Sequence, residues 1–155
     1  MKIALVDVPS DGRNLIYKDW AGGYGTAFYV GSSLRARFLQ KAKRTGIKLP
    51  LTRFGYLAAI FRETGHEVGL YHDTLPHSAD VVLLHSSIVD VYHELALADG
   101  LRKQLHAKIG FVGPFSGAMP DMYLEHADFV VKGEPEEFGY KIADLGELSG
   151  VIESE

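Results

Sequence analysis

The sequence predicts an α/β domain built on a doubly wound parallel sheet, and three observations carry that expectation. Five short apolar runs of strand length recur along the chain, at Lys2–Val8, His66–His72, Asp80–Leu84, Lys108–Val112 and Asp128–Val131. Segments with helical spacing stand between most of these runs. The later runs end in backbone-permissive residues, Gly113-Pro114 after one and Gly133-Glu134-Pro135 after the next. Alternation of strand and helix implies right-handed crossovers and parallel strands. The expected architecture is a flavodoxin-like, Rossmann-like sheet of five strands in the order 2-1-3-4-5. Its switch point lies between the first and third strands.

Taken in order, Lys2–Val8 (KIALVDV) is a buried strand entered directly from Met1, with no signal peptide before it. Residues 9–49 show no clear period and are rich in glycine and aromatics. A stretch of that length suits a functional loop, or a segment ordered by something outside this chain. Within it, Ser33–Arg44 has the composition of a short basic helix. Pro50–Thr64 carries a helical stripe of Leu51, Phe54, Leu57, Ala58 and Phe61, stopped by Gly65. The link from Asp73 to Ala79 is too short for a full helix, so one crossover is degenerate. Ile88–Ala107 is a long helix with Leu95, Leu97, Leu101 and Leu105 among its apolar positions. Met119–His126 is a further helical segment. Pro135–Leu145 is the last helix, with Pro135 tolerated in its first turn. The domain therefore spans 1–145 with a long loop at 10–49, and 146–155 reads as a polar tail or linker.

Composition narrows the function. At 155 residues the chain is one domain in size, and 46% hydrophobic residues can fill a core. A net charge of −4 argues against a nucleic-acid partner, which would call for a basic face. No apolar run approaches the ~20 residues needed to span a bilayer. A soluble cytoplasmic protein with no membrane partner is the expectation. Cysteine is absent, so the chain offers no thiolate to a metal or an iron–sulfur cluster and no cysteine nucleophile. The seven histidines form no H-x-x-x-H or H-E-x-x-H pair, which argues against zinc.

Ligands of open parallel sheets sit outside the carboxyl ends of the strands. Three strand ends supply candidates there. The third strand leads into Ser86, Ser87 and Ile88, and the two serine hydroxyls serve either a polar ligand or the cap of the next helix. The fourth ends in Val112, Gly113, Pro114 and Phe115, where a small residue lets a ligand lie on the backbone or simply makes a turn. The fifth ends in Gly133 and Glu134. A carboxylate there either receives a ribose hydroxyl or an amide, or favours a helix start. Each element alone is ordinary; their meeting on one rim is the informative point. The run Gly22-Gly23-Tyr24-Gly25 is not a dinucleotide fingerprint, because it lacks the third glycine and does not link a strand directly to a helix. Trp20, Tyr24, Phe28 and Tyr29 form an aromatic cluster that packs the loop or stacks on a ligand.

These rim strings resemble the amino-terminal cobalamin-binding domain of radical S-adenosylmethionine enzymes. The likeness rests on Ser86-Ser87-Ile88, on Gly113-Pro114 followed by Met119, Pro120 and Leu124, and on Ala127-Asp128-Phe129-Val130-Val131-x-Gly133-Glu134-x-Glu136. It runs from about Pro50 to the C-terminus. The tail, LSGVI at Leu148–Ile152, is similar to the link into a radical enzyme barrel. The resemblance implies cobalamin on the carboxyl rim, with its nucleotide tail inserted into the domain. It implies that S-adenosylmethionine and a 4Fe-4S cluster belong only to a downstream barrel, the second expected partner. The domain would then be a non-catalytic fragment of a methyltransferase or another radical-modifying enzyme. Val112 departs from the family's G-G element. Pro9 of Asp7-Val8-Pro9-Ser10-Asp11-Gly12 stands where related cobalamin proteins place a cobalt-ligating histidine, so no histidine of this loop is a lower axial ligand. The competing expectations are a non-catalytic α/β nucleotide-binding or interaction domain and, less favoured, a phosphoreceiver. The latter lacks its aspartate where the third strand ends in His85-Ser86-Ser87.

Overall fold

The computed structural model describes residues 1–8, 16–17, 26–27, 31–46, 52–72, 74–142 and 145–154. Its main sheet is parallel and has six strands rather than five. In chain order the elements are β1 (Lys2–Asp7), β2 (Ile16–Tyr17), β3 (Thr26–Ala27), α1 (Leu34–Gly46), α2 (Thr52–Glu63), β4 (Glu67–His72) and β5 (Val81–His85). Then follow α3 (Val91–Gln104), β6 (Lys108–Val112), α4 (Pro114–Ala118), α5 (Pro120–Leu124), β7 (Phe129–Gly133), α6 (Pro135–Lys141) and β8 (Gly150–Ser154). The sheet order is β4-β1-β5-β6-β7-β8. The first five strands take the order expected from sequence. The sixth comes from the segment read there as a polar tail. Its five residues pair in parallel with β7, from Phe129 opposite Gly150 to Gly133 opposite Ser154. An edge strand needs one buried flank only, so Gly-Val-Ile-Glu-Ser carries too little apolar signal to separate it from a linker.

The period-2 alternation of each strand sends side chains to two opposite layers. On one face, Ile3, Leu5, Val81, Leu83, Val112, Phe129 and Val131 pack against Phe54, Leu57, Ala58 and Phe61 of α2 and Phe138 of α6. On the other, Ala4, Val6, Val82, Leu84, Ile109, Phe111 and Val130 meet Leu95, Ala98 and Leu101 of α3 and Tyr123 of α5. Two helical layers around one sheet make the fold doubly wound. Gly110 sits in mid-strand because its register partner Phe129 lies over it. A Cβ at Gly110 would fall 2.2 Å from the Phe129 ring.

Local chemistry redraws some expected boundaries. The helix expected over Met119–His126 is the shorter α5, Pro120–Leu124, and a second one-turn helix, α4, precedes it where a plain turn was expected. Pro120 excludes its predecessor from the helical region, and Met119 sits at φ −130°, ψ 55°. The last helix stops at Lys141 rather than Leu145, since Ile142 is already extended. The long loop expected over 10–49 holds the antiparallel pair β2–β3 and the helix α1, the latter where the basic segment suggested one. The aromatics Trp20, Tyr24, Phe28 and Tyr29 lie outside the described residues, as does Pro9. The link between β4 and β5 has no helix among its described residues, as its length required.

Candidate functional site

The carboxyl rim is assembled from the ends of β1, β5, β6 and β7. Beyond β5, the Ser86 amide donates to the Val112 carbonyl at 2.9 Å, extending the β5–β6 ladder by one step. The Ser86 hydroxyl donates to Ser116 Oγ at 2.9 Å and accepts the Ser116 amide at 3.0 Å. Ser116 Oγ in turn donates to the Gly113 carbonyl at 3.2 Å. The Gly113–Pro114 turn is thus laid directly over Ser86. Gly113 has φ 132°, and a Cβ there would meet Ser86 Oγ at 2.7 Å and its carbonyl at 3.1 Å. Only glycine tolerates both the dihedral and the approach.

Ser87 is tied to the start of the following helix through Glu94 rather than as its N-cap, which is Asp90 and makes no side-chain cap bond. Its amide and its hydroxyl donate to the two carboxylate oxygens of Glu94, at 2.9 and 2.8 Å. The Asp90 amide reaches Ser87 Oγ at 3.3 Å. Glu94 is fully buried in the first turn of α3, and Asp90 beside it is nearly so. A carboxylate at a helix start gains from the exposed amide dipoles, and two donors satisfy it directly. Tyr123 completes this cluster, its ring set 4.6 Å from that of Phe111 and 6.1 Å from that of Phe115. Its hydroxyl lies close to Ser86 and Glu94 but meets strict hydrogen-bond geometry with neither. Burial, and then the charge of Glu94, push the Tyr123 phenol well above its ordinary value. It is a neutral hydroxyl throughout the physiological range.

The β7 end is closed by the same device. Gly133 has φ 102°, and a Cβ there would fall 1.7 Å from the Ser154 carbonyl. That carbonyl accepts the Glu134 amide at 3.2 Å, and Ser154 Oγ donates back to the Glu134 carbonyl. The Glu134 carboxylate is left exposed on the rim. Glu136 has one buried oxygen, Oε2, with no hydrogen-bond partner among the described residues. At the switch point, Asp7 is buried and its Oδ2 meets His72 Nδ1 at 2.8 Å. His85 follows Leu84, which is in register with Val6, so it stands beside Asp7 on the neighbouring strand. Its ring is edge-on to Phe54 at 6.0 Å.

The nine residues expected from sequence are therefore gathered at one end but not all turned outward. Val112 belongs to the core, Ser86 is tied inward, and Phe115 packs against Tyr123. Ile88, Pro114, Gly133 and Glu134 are exposed, with Ser87 and Gly113 between the two groups. Tyr56 and Tyr92, near the amino ends of α2 and α3, add large exposed rings at this end. Sequence reading missed Asp7, Glu94, Ser116 and Tyr123. The spacing Ser87-x-x-Asp90 was the available signal for the turn that leads into α3. Nothing local in the chain pairs Asp7 with His72, 65 residues away. Among the described residues no group of three or more His, Cys, Asp or Glu could hold a metal ion, and no helix is long and apolar enough to cross a membrane. Comparison with protein-family models, curated proteins and solved structures finds no match for this chain.

Proposed function

We propose that this domain binds cobalamin on its carboxyl rim and serves, without catalytic activity of its own, as the cofactor module of a radical S-adenosylmethionine enzyme. The observation that carries the reading is the rim itself. Two glycine turns, at Gly113 and Gly133, keep its backbone low, while Ile88 and Tyr92 stand exposed beside them. A corrin is a broad plate with an apolar face and amide arms. Exposed aliphatic and aromatic side chains suit the face, and the exposed Glu134 carboxylate suits amide N–H donors. When bound, cobalamin supplies a cobalt centre able to carry a methyl group. The part played by this chain is to seat and orient it.

The fit is uneven at one point. The nucleotide tail expected near Ser86 finds that hydroxyl already spent on Ser116, inside a packed turn. That arrangement favours a second reading, in which the rim motifs serve only as caps and turns of an α/β interaction domain. Titrating the purified chain with hydroxocobalamin and recording the visible spectrum separates the two. The first reading expects a saturable spectral change that Ile88→Glu weakens at least about tenfold, with an unaltered far-ultraviolet spectrum for the variant. No spectral change, or identical affinity in the variant, supports the second. Substitutions at Ser86 would be a poor test, since they break the fold's own turn.

A further inference from the structure

The amino end of α3 opens on the carboxyl rim, and in open parallel sheets such a helix start is where a ligand's phosphate is held. The donors for that purpose are in place here, but the chain itself supplies the anion. The amide and hydroxyl of Ser87 donate to Oε2 and Oε1 of Glu94, which reaches back from the fourth position of the helix past Asp90. Tyr123 turns a third donor toward the same carboxylate. Its side chain is wholly buried and its hydroxyl lies close to Glu94, yet that hydroxyl meets strict hydrogen-bond geometry with no described residue. An amide and two hydroxyls around one point suit a carboxylate or a phosphate equally. Glu94 is 0% exposed, so the seat is filled from within. Capping alone explains less. Asp90 holds the N-cap position without a side-chain cap bond, and a cap needs no acid buried a turn further on.

We infer that Glu94 is a built-in occupant of the anion seat at the α3 amino end, and that it makes the rim select ligands bringing no phosphate to the β5–α3 loop. Charge works together with occupancy. A helix start carries about half a positive charge, which the Glu94 carboxylate alone offsets. Segments 85–90, 113–116 and 133–137 contain no Lys or Arg to hold a phosphate, and include Asp90, Glu134, Glu136 and Glu137. Ile88, 71% exposed next to Ser87, offers a ligand an apolar contact instead. Mononucleotides and dinucleotides that anchor through a phosphate are thereby refused at this loop. Refusal of phosphate there is independent of cobalamin binding; a phosphodiester in the cofactor's tail would lie away from Ser87.

The test empties the seat. In Glu94→Ala the Ser87 amide, the Ser87 hydroxyl and the Tyr123 hydroxyl face a vacated volume that a small anion can fill. Formate should raise the Tm of this variant by about 5 °C at roughly twentyfold its Kd, beyond the effect of sodium chloride at equal ionic strength. Formate and inorganic phosphate should each shift the Ser87 amide resonance of the variant saturably. Glu94→Gln keeps the volume filled, so formate should leave its Tm and that resonance unchanged. In the unaltered chain neither formate, inorganic phosphate nor ADP should move the Ser87 amide. A folded Glu94→Ala variant indifferent to either anion, or a Glu94→Gln variant that answers formate equally, would overturn the inference. So would a saturable shift of the Ser87 amide with phosphate or ADP in the unaltered chain, which can be read even if Glu94→Ala does not fold.

Discussion

At the scale of single residues, the rim is held by what is absent from two side chains. Gly113 and Gly133 both adopt positive φ, and both lie where a methyl group would strike a neighbouring strand. The obstacles differ. At Gly113 the nearest atom is a serine hydroxyl, which can shift; at Gly133 it is a backbone carbonyl, which cannot without parting β7 from β8. Gly133→Ala should therefore cost more, about 3 kcal/mol against about 2 kcal/mol for Gly113→Ala, read by urea denaturation. Equal costs would mean that the closeness of Ser154 is relieved easily. Tyr123 makes a pH-dependent contribution. Its phenol ionises in the unfolded chain near the ordinary 10.0 but much higher when folded. Below that pH both states are neutral; above it the unfolded state loses the proton first, so stability falls as pH rises. The expected loss is at most about 1.4 kcal/mol per pH unit from pH 10 upward. Tyr123→Phe should flatten that decline and cost little at neutral pH, since the hydroxyl has no well-formed hydrogen bond to lose. An unaltered alkaline slope in the variant would assign the decline to other groups. Glycines 113 and 133 were legible in the sequence as turn residues. The Ser86–Ser116 and Ser87–Glu94 bonds that give the turns their shape were not, because residue type alone does not say whether a serine at a strand end faces a ligand or its own backbone.

The strands buried on both faces were the easiest to read, although the edge strand β4 was read too. β1, β5, β6 and β7, covered on both faces, announced themselves as apolar runs. β8 is paired on one side only and alternates exposed with partly covered residues, so it looked like a tail. Its contribution is nonetheless definite. It covers the outer edge of β7, and Ser154 supplies both partners that fix Glu134. A chain ended at Ser149 should lose about 2 kcal/mol of stability, and its β7 amides should exchange hydrogen faster than those of β1. Uniform protection across the sheet in that truncated form would mean β8 is dispensable. The α4–α5 break shows the opposite case. A single proline separates two one-turn helices, the first of which reads in sequence as a turn, and Pro120→Ala is expected to join them rather than unfold them, since Met119 would no longer be barred from helical dihedrals.

For the molecule as a whole, strand order came out of alternation and crossover rules, whereas the buried acid–hydroxyl cluster depends on contacts between residues far apart in sequence. A prediction from the proposed module role belongs to this scale too. Without cysteine the chain holds no thiolate-ligated cluster, so it should not cleave S-adenosylmethionine under reducing conditions, with or without cobalamin. Release of 5′-deoxyadenosine by the purified domain would contradict the module reading. The parallel course of β8 has a practical consequence. Met1 and Ser154 emerge at opposite edges of one sheet, because β1 starts at the amino edge and β8 finishes at the carboxyl edge. The two ends of the sheet are therefore unequal places for a label. A fluorophore joined beyond Ser154 would sit within a few residues of Gly133 and Glu134 and report on whatever approaches them. The same dye at Met1 would lie a full strand length away and serve as its silent control.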